Sequence, residues 1–193
     1  MTLYRVLYYL PGAAPTEPGG VLFIPPQNTG RIDNPSDYAT LYVGDSQAGV
    51  CAEVFNRGKY RKEWTADTLR GLPGVPASRR VLAWYELDAA AAPICDLDDP
   101  RQLLARALRP SRVITRNYAQ SQAWALRLFA EHHWAGVRWW SYHDSRWASI
   151  GLWDRSAIRS FGFEPLTLDH PALIEAAGVL SIRIRRARGR PAP

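Results

Sequence analysis

The sequence predicts a mixed α+β fold, and three features carry that prediction. Short runs rich in β-branched and aromatic residues recur along the chain, as at 3–9, 80–88 and 148–154. Helical periodicity interrupts them, most plainly at 118–134, where Ala123, Leu126, Phe129, Ala130 and Trp134 repeat every three or four positions. The runs at 136–144 and 148–154 are joined by a turn, so hairpins are expected in place of a regular doubly wound sheet.

In chain order, LYRVLYY at 3–9 reads as a first strand with Arg5 inside it. The Pro/Gly-dense stretch 11–20 is a loop, and VLFI at 21–24 reads as a short strand stopped by Pro25 and Pro26. The turn at 28–37 places Arg31 after Gly30 and before the Asn34-Pro35 breaker. A strand at 38–43 feeds a helix capped by Asp45 or Ser46, running to about Asn56 and stopped at Gly58. Residues 57–79 form a polar connection with one helical turn near 64–69. Strands follow at 80–88 and 93–97, then a helix opened by Asp98, Asp99 and Pro100 and ending near Leu108. After the helix 118–134, closed by Gly136, and the two strands behind it, residues 156–176 hold a loop and a short helix. VLSIRIR at 179–185 alternates as a last strand.

Composition narrows the class. At 193 residues, with 47% hydrophobic and 22% charged residues, the chain fits one domain with a full core. No run approaches the about 18 apolar residues a membrane span needs, and no leader pattern opens the chain, so a cytoplasmic protein is expected. Cys51 and Cys95 lack metal-type spacing and read as reduced, buried thiols. The net charge of +6 is a property of the terminus: Arg183, Arg185, Arg186, Arg188 and Arg190 carry all but one unit of it. We therefore divide the chain into a domain at 1–182 and a basic tail at 183–193. The tail reads as a solvated end, or as a nonspecific contact to an anionic partner.

Several chemistries are missing. There is no phosphate-binding P-loop, no dinucleotide G-x-G-x-x-G, no nucleophile elbow and no H-E-x-x-H. The cluster Asp96, Asp98, Asp99 has no further ligand at metal spacing and reads as helix capping; no metal is expected. His132 and His133, near a helix end, are expected to meet its terminal carbonyls. What stands out is Glu53, the one acid between Asp45 and Arg57. At about 100° per residue, Ala48, Cys51, Ala52 and Phe55 share one face, and Val50 and Val54 lie across from them. Glu53 falls between these sets, so a partly buried carboxylate is expected, with Arg31 or Arg5 as its partner. The alternatives are ordinary: a solvated helix acid for Glu53, a core aromatic for Tyr42, a backbone-bonded hydroxyl for Ser141.

These pieces, in this order, resemble the RES domain family, named for an Arg, a Glu and a Ser. Its YR strand, GRWN turn, Tyr-containing strand and A-x-x-E-like helix are similar to Tyr4-Arg5, Gly30-Arg31-Ile32-Asp33, Tyr42-Val43, and Ala48 through Glu53. Its later T-Q-x-x-A helix, G-[IV]-x-x-x-S strand and N-x-x-L-F strand are similar to Ser121-Gln122 with Ala125, Gly136-Val137 with Ser141, and Ser149 with Leu152-Trp153. The chain departs from the pattern in having GRID for GRWN, Trp140 for a proline, and Ser149 for an asparagine. The likeness runs from residue 4 to about 154.

The resemblance implies an ADP-ribosyltransferase-like single domain, with a small, strongly curved mixed sheet flanked by helices. It also implies a bacterial toxin that cleaves the nicotinamide–ribose bond of NAD by hydrolysis or phosphorolysis, or that ADP-ribosylates a protein. A helix-turn-helix antitoxin is the implied partner, within a homodimer or a larger assembly, and nucleic acid would be reached only through that partner. NAD would be substrate. Glu53 would stabilise an oxocarbenium-like ribose or activate the attacking group. Arg31 and Arg5 would hold the pyrophosphate, and Tyr42 would stack on nicotinamide. Ser141 or Ser121 would orient substrate or glutamate. A noncatalytic binding module acting through the basic tail is the reading from a different class.

Overall fold

A computed structural model describes residues 1–56 and 62–186. The strands are β1 (Thr2–Tyr9), β2 (Leu41–Gly44), β3 (Glu63–Trp64), β4 (Arg79–Leu87), β5 (Ile94–Asp96), β6 (Gly136–Trp140), β7 (Ala148–Leu152), β8 (Ile158–Pro165) and β9 (Arg183–Ile184). The helices are α1 (Gln47–Phe55), α2 (Pro100–Ala105), α3 (Pro110–Val113), α4 (Tyr118–Phe129) and α5 (Pro171–Val179). Seven strands form one sheet in the order β5-β6-β7-β2-β1-β4-β8, and β3 pairs with β9 apart from it. Only the β5–β6 pair in the large sheet is parallel, so the sheet is mixed, as expected. At seven strands it is not the small sheet anticipated.

Side-chain alternation distributes the core. On one face of β1 and β4, Leu3, Leu7, Val81, Ala83 and Tyr85 are buried beneath the loop residue Val21. On the other, Val6 and Leu82 pack against α1 and α5 through Ala48, Cys51, Ala52, Phe55, Leu173 and Ala176. A third cluster joins α4, through Trp124, Ala125 and Leu128, to Cys95, Val137 and Trp139 of β5 and β6. Successive strand residues face opposite sides of the sheet, so β1 serves two cores at once. Its central place, between β2 and β4, explains why this is the segment that anchors the fold.

Cap chemistry sets the helix ends. Ser46 Oγ accepts from the Gly49 N–H at 3.2 Å to start α1. The helix closes at Asn56, and the stop expected at Gly58 lies outside the described residues. Asp99 accepts from the Arg101 N–H and Pro100 takes the first turn of α2, so capping is what that acid does.

Several elements differ from expectation. VLFI at 21–24 is no strand: Leu22 and Phe23 donate to the Pro15 and Gly20 carbonyls, which folds the segment as irregular cover for the sheet. The second strand begins at Leu41, because Asn34 and Tyr38 close a local bridge first. α4 stops at Phe129, and His132 then takes a positive φ of 51° that a helix cannot continue through. The His132 and His133 rings pack against Phe129 and Trp134, not the expected carbonyls. β8 arises in a segment read as loop. The expected last strand shrinks to two residues because α5 runs to Val179 and Ser181 turns at φ 54°.

The start of the tail is docked, not frayed. Arg183 and Ile184 pair with β3, Arg185 Nε lies 3.1 Å from Glu63, and Arg186 Nε lies 2.6 Å from Asp169. Arg188 and Arg190 lie outside the described residues.

Candidate active site

One cavity, of about 870 Å³, opens where β1, β2, α1 and the β6–β7 connection meet, and Arg5, Arg31, Tyr42, Glu53 and Ser141 all line it. That volume is within the usual range for small-molecule sites. A smaller cavity of about 560 Å³, bounded by Tyr8, Phe55, Ser78 and Arg80, holds none of these residues.

The floor is built by α1. Its apolar faces lock it against the sheet and α5, leaving Glu53 half-buried at the cavity. Glu53 Oε1 accepts from the Ser141 hydroxyl at 2.8 Å, and Oε2 lies 3.9 Å from His143 Nε2. Ser141 is 4% exposed and its oxygen also accepts from the His143 N–H at 3.1 Å. Asn56, at the end of α1, brings its amide nitrogen to 3.5 Å from His143 Nδ1. The sequence assigns no role to His143 or Asn56. The signal that could have found both is position: Asn56 lies three residues after Glu53, and His143 lies two after Ser141 on the strand exit.

The opposite wall is the GRID turn. Gly30 leaves room there for two side chains, since a Cβ would stand 2.5 Å from both Asp33 Oδ1 and the Tyr42 hydroxyl and would displace them. Asp33 accepts from the Gly30 N–H at 2.6 Å and from the Tyr42 hydroxyl at 2.6 Å, while the Ile32 N–H donates to that same hydroxyl at 3.0 Å. Burial, then the Asp33 carboxylate, pushes the Tyr42 phenol well above its ordinary value, so it stays a donor. Ile32 is fully buried against α4 and β6, and this fills the place where the family pattern has an aromatic residue. The turn therefore holds its shape with a carboxylate and an aliphatic residue.

The turn aims Arg31. Its guanidinium donates to the Val113 and Thr115 carbonyls at 2.9 and 2.6 Å and sits 5.4 Å from the Tyr118 ring centre. Arg5 donates to the Phe23 carbonyl at 2.8 Å. Both arginines share the cavity with Glu53, yet neither makes an ion pair with it, against the partnership expected from the sequence. The groups facing Glu53 include Ser141 and His143.

Ser121 does not join them. It is fully buried on α4 and donates to the Arg31 carbonyl at 2.5 Å, so its work is to hold the turn. Gln122 beside it donates to the Gly30 carbonyl at 3.0 Å. Of the two serines left open by sequence, Ser141 lines the cavity and Ser121 supports its wall.

A mixed seven-stranded sheet with helices on its flanks thus holds a cavity whose lining includes the carboxylates of Asp33 and Glu53 and the guanidinium groups of Arg5, Arg31 and Arg116. The chain belongs to the RES domain family, whose model matches residues 2–168. Among solved structures, it is similar to a chain of the M. tuberculosis MbcT-MbcA toxin-antitoxin complex. That likeness has a TM-score of 0.51 at 15% identity, over 94% of this chain and 88% of that one, and supports the fold. No curated protein matches the chain. Among the described residues, no helix is long and apolar enough to cross a membrane.

Proposed function

We propose that this cavity binds NAD and breaks its nicotinamide–ribose bond, passing ADP-ribose to water or phosphate, so that the chain acts as a toxin that depletes NAD. The observation carrying this reading is the 2.8 Å contact of Ser141 with Glu53 in a cavity that also holds Arg5 and Arg31. Nicotinamide leaves with the bonding electrons as a neutral base, and the ribose carbon becomes electron-deficient. A carboxylate beside it stabilises that charge. With water as acceptor, the attacking oxygen forms the new bond to the ribose carbon and releases a proton to Glu53 or solvent. The Ser141 hydroxyl fixes the carboxylate rotamer, and Arg5 and Arg31 meet the pyrophosphate. Tyr42 uses its hydroxyl within the turn, so its ring is what it offers to a ligand. The family, and the likeness to a chain of a toxin-antitoxin complex, support reading the chain as a toxin with an antitoxin partner, which we take to be of the helix-turn-helix type.

Mass spectrometry of NAD incubated with the purified chain, with and without phosphate, tests this. Free nicotinamide with ADP-ribose indicates hydrolysis, and ADP-ribose 1″-phosphate appearing only with phosphate indicates phosphorolysis. Intact NAD in both arms rejects the proposal. Label from NAD found on a protein, with little free ADP-ribose, identifies a transferase instead.

A further inference from the structure

We propose that the outer edge of β8 is a homodimer interface, across which a second copy of this chain continues the sheet antiparallel about a two-fold axis at Gly162. β8 ends the seven-stranded sheet, and among the described residues only β4 pairs with it. Its hydrogen-bonding direction is fixed by the ladder. The Leu166 N–H donates to the Arg80 carbonyl at 3.3 Å, continuing the register in which Leu82 faces Glu164 and Trp84 faces Gly162. Hydrogen-bonded and non-bonded pairs alternate in an antiparallel ladder. Gly162 and Glu164 therefore turn their backbone groups toward β4, whereas Phe161 and Phe163 turn theirs outward. Pro165 falls in the outward set, where its missing N–H costs β4 nothing.

This edge is protected mainly at its ends: its eight residues carry Arg159 and Glu164 and close on one proline, with Ser160, Phe161, Gly162 and Phe163 between. Apolar side chains flank the free backbone groups: Phe161 and Phe163 are 39% and 37% exposed on one face. On the other face Trp84, 36% exposed, lies so close over Gly162 that a Cβ there would come within 2.5 Å of the indole.

The strand's own sequence, IRSFGFEP, identifies the occupant. With Gly162 on the axis, Phe161 stands opposite Phe163 of the partner subunit, and the two exchange both backbone hydrogen bonds, as do Phe163 and Phe161 of the partner subunit. Each pairing stacks aromatic against aromatic on one face. Ser160 comes opposite Glu164 of the partner subunit, a hydroxyl against a carboxylate. Arg159 comes opposite Pro165 of the partner subunit, a pair left with one backbone hydrogen bond because proline has no N–H, and like charges never oppose. β4 separates this edge from β1 and the cavity, which stays open in the dimer.

Sedimentation velocity of the full chain across a concentration series is the first test. The parent is expected to sediment as a dimer, and the double variant Phe161→Lys with Phe163→Lys as a monomer with an unchanged circular dichroism spectrum. The second test does not depend on how the lysines are tolerated. Single variants Phe161→Cys and Phe163→Cys, mixed and oxidised, are expected to cross-link to each other and not to themselves; the native Cys51 and Cys95 are buried. A parent that stays monomeric overturns the proposal. So does a folded lysine variant that remains dimeric, cross-linking by either cysteine variant alone, or an edge that pairs only with a different protein.

Discussion

Ser141 and Ser121 are buried almost equally, 4% and 0% exposed, and each gives its proton to an oxygen within 3 Å. The resemblance left them interchangeable. What separates them is the acceptor. Ser141 holds a carboxylate that faces an open cavity, so in the function proposed above its hydrogen bond bears on chemistry. Ser121 holds the backbone carbonyl of Arg31, so its hydrogen bond bears on shape. The floor of the site is thus a set of side chains converging from α1 and the β6–β7 connection, and the wall is a turn whose backbone is stapled from behind by α4. Burial alone does not tell a working hydroxyl from a supporting one; the partner does.

If that contrast is right, substitutions in the two regions separate activity from stability. The largest effect is expected from Ser141→Ala, which removes one hydrogen bond from Glu53: NAD turnover falls by about 10²-fold in kcat, while loss of the acceptor for the His143 N–H costs about 1 kcal/mol in urea unfolding. A Ser141→Ala protein as active as the parent would break the contrast. Ser121→Ala leaves the Arg31 carbonyl short of a partner at a fully buried serine position and is expected to cost about 1–3 kcal/mol in urea unfolding. It raises KM more than it lowers kcat, since the arginine is displaced and the carboxylate is not. Tyr42→Phe removes the hydroxyl that joins Asp33 to the Ile32 N–H, an expected loss of about 1–2 kcal/mol read by the same melt.

The last effect is absent at neutral pH and appears only in alkali. Burial pushes the Cys51 thiol up to about 12 from an ordinary 9.0. The folded chain keeps this proton where the unfolded chain surrenders it, so the contribution is complete below pH 9 and is lost as pH rises toward 12. The urea midpoint is expected to fall from about pH 9 upward, by less in Cys51→Ala. An equal fall in that variant would assign the effect to Cys95 and the buried tyrosines.

The sequence carried the site's membership better than its internal wiring. Glu53 was conspicuous because it is the one acid on an otherwise apolar helix, and Arg31 because a glycine turn precedes it. Their separation could not be read, since which oxygen a guanidinium chooses depends on the carbonyls that α3 brings up, far along the chain. Ile32 and Asp33 looked like departures from a pattern, yet together they keep the turn, one by filling the core and one by accepting two hydrogen bonds. For the fold, strands with a buried face announced themselves, as β1 and β4 did. β8 stayed hidden because an edge strand exposed on both faces has no alternation to read, and its Gly162 and Pro165 mimic a loop.

The central claim is that the Glu53 carboxylate drives cleavage. Nicotinamide release by Glu53→Gln, measured beside the parent with NAD binding and unfolding followed on both, addresses it most directly. The account predicts release by the parent, a loss of about 10³-fold or more in the variant, and binding and stability nearly unchanged. A variant that releases nicotinamide at the parent's rate would contradict it.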